Sequence, residues 1–206
     1  MLRDAFFCFC IREIKGGIFL SSKWSVQDVV LLGFLAFLFG GVFMGAGFLY
    51  AMLSAALTPL GLAPFANEIL FGMWTMAAPM AGMLIPKKGS SILGELLAAL
   101  AEMLYGSYFG PGVLISGFFQ GLGTELGFMA TKYKRYDTLP LIYGAIGTTV
   151  LSFGYEYFKM GYGTFGIGMI ISLFVVRLLS VFFFGVVMVS LVMKSYNRVQ
   201  QLAGAR

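Results

Sequence analysis

The stretch Ser90–Glu125, SSILGELLAALAEMLYGSYFGPGVLISGFFQGLGTE, sets Glu95, Glu102, Gln120 and Glu125 inside otherwise apolar sequence. A charged side chain in the hydrocarbon of a bilayer costs about 2.5–3.5 kcal/mol on insertion scales, so such groups face a bundle interior or a wet cavity. The stretch predicts two membrane helices, joined by the uncharged turn 106–112, with their polar residues turned inward.

Composition agrees. Hydrophobic residues make up 59% of the 206 and charged residues 11%, against about 25% charged in a soluble domain. The expected solvent is the bilayer and the expected class is an all-α integral membrane protein. The absence of histidine removes Ser–His and Cys–His nucleophile pairs and the HExxH zinc motif. Cys8 and Cys10 read as unpaired thiols, and four-cysteine metal spacing is missing. The aspartates Asp4, Asp28 and Asp137 sit at span ends or in polar segments. No catalytic residue, metal or cofactor is expected, and the chain does not read as an enzyme. The net charge of +5 does not point to nucleic acid, because the basic residues lie between apolar spans.

Six spans follow, at about 26–56, 65–85, 91–106, 113–131, 139–158 and 166–193. Residues 1–22 read as a cytoplasmic extension, interfacial or disordered. Their apolar run Ala5–Ile11 is too short for a span, and no small-residue cleavage site follows it, so no signal peptide is expected. Residues 23–198 form the membrane domain and 199–206 a cytoplasmic tail. In the first span Ala36 and Gly40 are four apart, as are Gly41 and Gly45, which lets helix backbones approach closely. In the second span Pro79 is expected to kink the helix or to free a carbonyl. Ser90 or Ser91 is the expected N-cap of the third. Gly161-Tyr162-Gly163-Thr164-Phe165-Gly166 matches GxGxxG by letter but lacks the flanking βαβ unit that gives the motif meaning.

Twelve of the 14 lysines and arginines fall at the termini and in the loops near residues 87 and 134, Lys159 falls on the opposite side, and Arg177 lies within a span. The positive-inside rule then places both termini in the cytoplasm of a six-helix bundle. With that orientation and about 1.5 Å of rise per residue, Glu68, Glu102, Tyr105, Tyr155 and Glu156 lie in the outer half, with Trp74 and Gln120 near mid-depth. Asn67 shares a face with Trp74. These residues predict a cavity open to the outside, able to take a flat cationic ligand by aromatic stacking and carboxylate charge. Glu95 and Glu125 lie deeper, and either is an expected counter-charge for Arg177.

Three segments carry a family resemblance: Phe71-Gly72-Met73-Trp74-Thr75-Met76-Ala77-Ala78-Pro79, Pro86-Lys87-Lys88-Gly89-Ser90-Ser91-Ile92-Leu93-Gly94-Glu95, and Gln120-Gly121-Leu122-Gly123-Thr124-Glu125. With six short spans, they resemble the substrate-binding S subunit of energy-coupling factor (ECF) vitamin transporters, of the type associated with thiamine or its hydroxymethylpyrimidine precursor. The resemblance covers about residues 23–198. It implies a vitamin held in an outward-facing cavity and residence in a prokaryotic plasma membrane. It also implies an ECF transmembrane coupling subunit and ABC-type ATPase domains as partners, with lipid around the chain. The chain itself has no GxxxxGK[ST] phosphate loop. The family's docking face would fall on Ala36 and Gly40; the family has alanine at both positions, so Gly40 is a conservative departure. Against thiamine, the residue chemistry assigns Glu102 or Glu68 to charge, Trp74 and Tyr105 to stacking, and Asn67 and Gln120 to the polar edge, with Tyr155 a weaker candidate. A different class of reading is a stand-alone proton- or ion-coupled carrier using Glu95, Glu102 and Glu125 as a relay.

Overall fold

Ser25 starts the first helix. Its hydroxyl accepts from Asp28 N at 3.2 Å, and the Asp28 carboxylate takes the Ser25 amide at 2.7 Å, a reciprocal cap that satisfies helix-end donors. From this cap α1 runs over Val26–Leu57. The computed structural model describes residues 24–204; Cys8, Cys10 and the extension 1–22 lie outside them, as does the end of the tail. The described residues continue as α2 (Pro64–Leu70), α3 (Ala77–Leu84), α4 (Ser90–Tyr105), α5 (Gly112–Ala130), α6 (Thr138–Lys159), α7 (Ile167–Phe182) and α8 (Val189–Gly204). No strand occurs among them.

These eight helices make six spans. α2 and α3 are halves of the second, joined by a 3-10 segment, Phe71–Thr75. α7 and α8 are one continuous sixth span through a π-helical segment, Phe183–Met188, and that helix extends past the expected end at residue 193. Three stretches, Val26–Leu60, Gly112–Ala130 and Ile167–Ala203, are long and apolar enough to cross a membrane on their own.

The break in the second span is not where Pro79 predicts it. The chain unwinds before Ala77, so Pro79 is the third residue of α3. There its missing N–H falls among donors that a helix leaves unpaired in any case. The break is held from the sixth span. Ser180 Oγ accepts from Gly72 N at 3.0 Å and donates to Ile69 O at 2.7 Å. A Cβ on Gly72 would come within 2.2 Å of Ser180 O, so only glycine permits this approach.

Small residues set the rest of the packing. α5 lies against α6 so closely that a Cβ on Gly123 or Gly127 would meet α6 backbone at 2.3 Å. Thr124 and Thr148 hydrogen-bond across the same contact at 3.0 Å. Close backbone approach is how membrane helices gain dispersion contact without a hydrophobic driving force. Gly40 belongs to this category too, packed on α4 within the chain. Ala36 and Gly40 are buried, and a Cβ on Gly40 would strike Ala101 Cβ at 2.6 Å on α4. The glycines of α1 that face outward are Gly33, Gly41 and Gly45.

One end of the bundle gathers the basic loops. Lys87 pairs with Asp28 there, and Lys88 sits over the Tyr133 ring at 5.8 Å. The N-cap of α4 is Gly89, at φ +83°, and not a serine. Ser90 Oγ turns back to Lys87 O at 2.8 Å. The free amides are taken instead by Glu125 of α5, which accepts from Gly89 N at 2.6 Å, Ser91 N at 3.1 Å and Tyr133 OH at 2.8 Å. Burial, and then Glu125, push the Tyr133 phenol well above its ordinary value.

Candidate functional site

At the opposite end the bundle opens a cavity of about 440 Å³ of empty space, its mouth included. Its floor is built on Arg177 of α7, which is fully buried. Arg177 pairs with Glu68 through Nε and, at 2.8 Å, through Nη2; Nη2 also reaches Glu156 Oε2 at 2.5 Å. Nη1 donates to Ser152 Oγ at 3.3 Å. Phe71 and Phe153 approach the guanidinium carbon at 3.9 and 5.1 Å from ring centre. Tyr162 OH donates to Glu68 at 2.6 Å and Asn67 Nδ2 to Glu156 at 2.8 Å. A buried cation needs this much: paired charge and a full set of hydrogen-bond partners.

This corrects the assignment of Arg177's partner. Its counter-charges are Glu68 and Glu156, brought together from the second and fifth spans, and not Glu95 or Glu125. Depth along a helix gave Glu95 and Glu125 the right level; the rotation of α4 and α5 turns them elsewhere. Glu125 caps α4, as described. Glu95, fully buried, caps α3 by accepting from Ala78 N at 2.6 Å. No water reaches such a helix end inside a bilayer, so a side chain has to satisfy it. Glu68 likewise lies beneath the cavity within the ion pair and does not line it.

The walls carry the recognition chemistry. Asn67, Trp74, Glu102 and Gln120 all line the cavity, as expected, together with Glu156. Trp74 Nε1 donates to Phe43 O at 3.0 Å, which fixes the indole. Phe109 stands at 83° to it, with ring centres 5.6 Å apart, and Tyr50 closes on Phe109 at 5.0 Å. Glu102 accepts from Ser107 Oγ at 2.9 Å. Gln120 has one amide orientation that satisfies all its neighbours: Nε2 donates to Trp74 O at 2.8 Å and Glu95 Oε1 at 3.0 Å, and the oxygen accepts from Ser116 Oγ at 3.0 Å. Glu102 and Glu156 bring two carboxyl groups to the cavity lining, with Lys159 also on it.

Tyr105 and Tyr155 lie outside the cavity wall. Tyr105 packs edge-on to Phe37 and donates to Phe37 O at 3.2 Å, on the α1 side. Tyr155 stacks on Phe119 at 5.1 Å. Both are at the expected depth but on the wrong face. The sequence reading gave no role to Phe109, Ser107 or Ser116. Ser116 was within reach, because it precedes Gln120 by four residues and so shares its face. Phe109 and Ser107 sit in a turn whose path no periodicity describes.

A family model described as "ABC-type cobalt transport system, permease component" matches residues 27–151. A relative from Bacillus subtilis (strain 168), carried under the name HMP/thiamine permease protein YkoE, is 32% identical over 158 residues, or 77% of each chain. A solved structure described as an S-component of ECF transporter matches with a TM-score of 0.76 and 30% identity, over 86% of this chain and 89% of that one. Fold, cavity and relatives coincide: the chain belongs to the S-component family of ECF transporters, as an all-helical prokaryotic membrane protein of small-molecule transport.

Proposed function

We propose that the chain captures thiamine or its hydroxymethylpyrimidine precursor in the cavity between α1, the broken second span, α4, α5 and α6. One observation carries the reading: Glu102 and Glu156 line the same cavity as Trp74 and Phe109. Aromatic faces beside a carboxylate suit a flat ring bearing positive charge, with cation–π attraction worth about 0.5–2 kcal/mol. The name of the Bacillus subtilis relative supports the same ligands. Among the described residues no three His, Cys, Asp or Glu side chains gather as a metal site, and the aromatic walls suit an organic ligand. The ligand's ring lies against Trp74, its charged or amine group faces Glu102, and Asn67 and Gln120 hold its polar edge.

The chain sits in the plasma membrane with both termini in the cytoplasm, so the cavity opens outward. Residues 23–198 are the membrane domain. Uptake is driven by ATP hydrolysis in partner ABC subunits, reached through the ECF transmembrane coupling subunit. The outward face of α1 at Gly41 and Gly45 is the docking side, since small residues there leave room for a partner helix.

The test is a titration of the purified, detergent-solubilised protein with thiamine and with hydroxymethylpyrimidine, read by tryptophan fluorescence. The chain has two tryptophans; Trp74 lines the cavity and Trp24 lies at the far end of α1. Saturable quenching that disappears in Trp74→Phe is the expected result. Folded protein that responds to neither ligand would overturn the reading.

A further inference from the structure

Glu156 of α6 belongs to the ion pair on the floor and to the cavity lining at once. It is 4% exposed. One of its oxygens, Oε2, is fully used: Arg177 Nη2 donates to it at 2.5 Å and Asn67 Nδ2 at 2.8 Å. The other, Oε1, has a single donor within reach among the described residues, the Ser116 hydroxyl at 3.5 Å. That is long for an O–H···O bond, which ordinarily spans about 2.5–3.0 Å. A hydroxyl also has only one proton to give. Trp74 O accepts the Gln120 amide at 2.8 Å, which turns the Gln120 oxygen onto Ser116 Oγ at 3.0 Å, and the Ser116 proton goes there. Glu156 Oε1 is left as a buried carboxylate oxygen on the cavity lining with no donor of its own.

We infer that Glu156 is a ligand-contacting residue whose Oε1 accepts the alcohol O–H of the ligand, so that the site selects the alcohol over an analogue that lacks the hydroxyl. This rests on the ligand reading above and deepens it. That reading sets the charged or amine group at Glu102. It leaves unassigned the alcohol that thiamine and hydroxymethylpyrimidine both carry. A buried acceptor is costly to leave unmade, and a site that holds one open for a hydroxyl rejects the analogue without it.

The ion pair and the ligand contact are separable. Arg177 and Asn67 hold Oε2 and so fix where Oε1 lies. Without Glu156, Arg177 still has Glu68, through Nε and Nη2, so Glu156→Met removes the open acceptor and leaves the guanidinium a carboxylate partner. A Glu156 that served only the floor would, on removal, weaken every ligand alike. A Glu156 that meets the hydroxyl weakens the alcohol and not the analogue without it.

The experiment is calorimetric titration of the intact detergent-solubilised chain with hydroxymethylpyrimidine and with its analogue bearing methyl in place of hydroxymethyl. Wild type is expected to prefer the alcohol by at least about tenfold, the scale of one hydrogen bond to a charged group. In Glu156→Met the ratio of the two affinities should fall to within about twofold of unity. Glu156→Gln keeps an oxygen for Arg177 and Asn67 and turns its amide nitrogen to the cavity. It should lower the ratio by at least about threefold, as a neutral bond replaces a charge-assisted one, and it decides the matter if Glu156→Met does not fold. A ratio kept at its wild-type value in a folded variant, with both ligands weakened alike, would confine Glu156 to the ion pair and overturn the inference. Wild type that binds alcohol and analogue alike would overturn it while leaving the proposed ligand class standing. Wild type that binds neither of them, nor thiamine, would overturn both.

Discussion

Glu102 and Arg177 are both buried, yet they should respond oppositely to substitution. Glu102 accepts from the Ser107 hydroxyl and lines the cavity. Glu102→Gln should leave the fold intact and weaken thiamine by about tenfold, the scale of a lost charge-assisted contact. Hydroxymethylpyrimidine, which carries no fixed charge, should lose less; calorimetry on both ligands reads the difference. Arg177→Met strands Glu68 and Glu156 together, and an uncompensated buried charge costs about 3–5 kcal/mol. That variant should fail to give monodisperse protein in detergent. Arg177→Lys should do little better, because an ammonium cannot span two carboxylates and Ser152 as the guanidinium does. The sequence could bring Asn67, Trp74, Glu102 and Gln120 to one cavity from depth and shared helix faces, and the same depth also admitted Glu68, Tyr105 and Tyr155, which do not line it. It could not pair Arg177 correctly. Glu68 and Glu156 are 88 positions apart, and which one an arginine meets depends on how each helix is rotated, which hydropathy does not encode.

The second span shows what a helix gives up to build a site. Its break at Phe71–Thr75 turns Trp74 into the cavity and frees the amide of Ala78, and a neighbour satisfies each loose end: Ser180 on one side and Glu95 on the other. Gly72→Ala should push the second and sixth spans apart, at a cost of about 1–3 kcal/mol as for other overpacked contacts. A lowered melting temperature in detergent would register it, together with reduced affinity, because Trp74 lies two residues away. Ser180→Ala should cost about 1–3 kcal/mol by stranding the Gly72 amide. Neither break nor clasp was legible beforehand. Pro79 is the strongest breaker in the segment and drew the expectation to itself, whereas the unwinding rests on Gly72, on a serine from a helix more than 100 residues later and on Glu95. Span number, approximate limits and packing by small residues were legible, because they follow from local composition.

Across the molecule the charges are sorted by end: the basic loops with Asp28, Glu125 and Tyr133 at one, and the cavity with Glu102, Glu156 and Lys159 at the other. Single cysteines placed in the loops 86–89 and 131–137 should react with a membrane-impermeant thiol reagent only after cell lysis if both termini are cytoplasmic. Labelling of intact cells at those loops would invert the topology. On the lipid-facing side, Gly41→Leu and Gly45→Leu should abolish co-purification with the coupling and ATPase subunits while leaving vitamin affinity unchanged. At Ala36 and Gly40, as at Tyr105, the spacing left open which neighbour the face meets. Spacing reports that small residues share a side of α1, and only the position of α4 tells which side that is. The short α4 also bears on how the chain is made. It has 16 residues and carries both Glu95 and Glu102, so a translocon that weighs each segment alone would find it a poor candidate for release into lipid. Its carboxylates become tolerable once Ala78, Gln120 and Ser107 are beside them. Biogenesis should therefore hold α4 back until α5 has emerged, and a ribosome-bound chain truncated after residue 111 should leave this segment unintegrated.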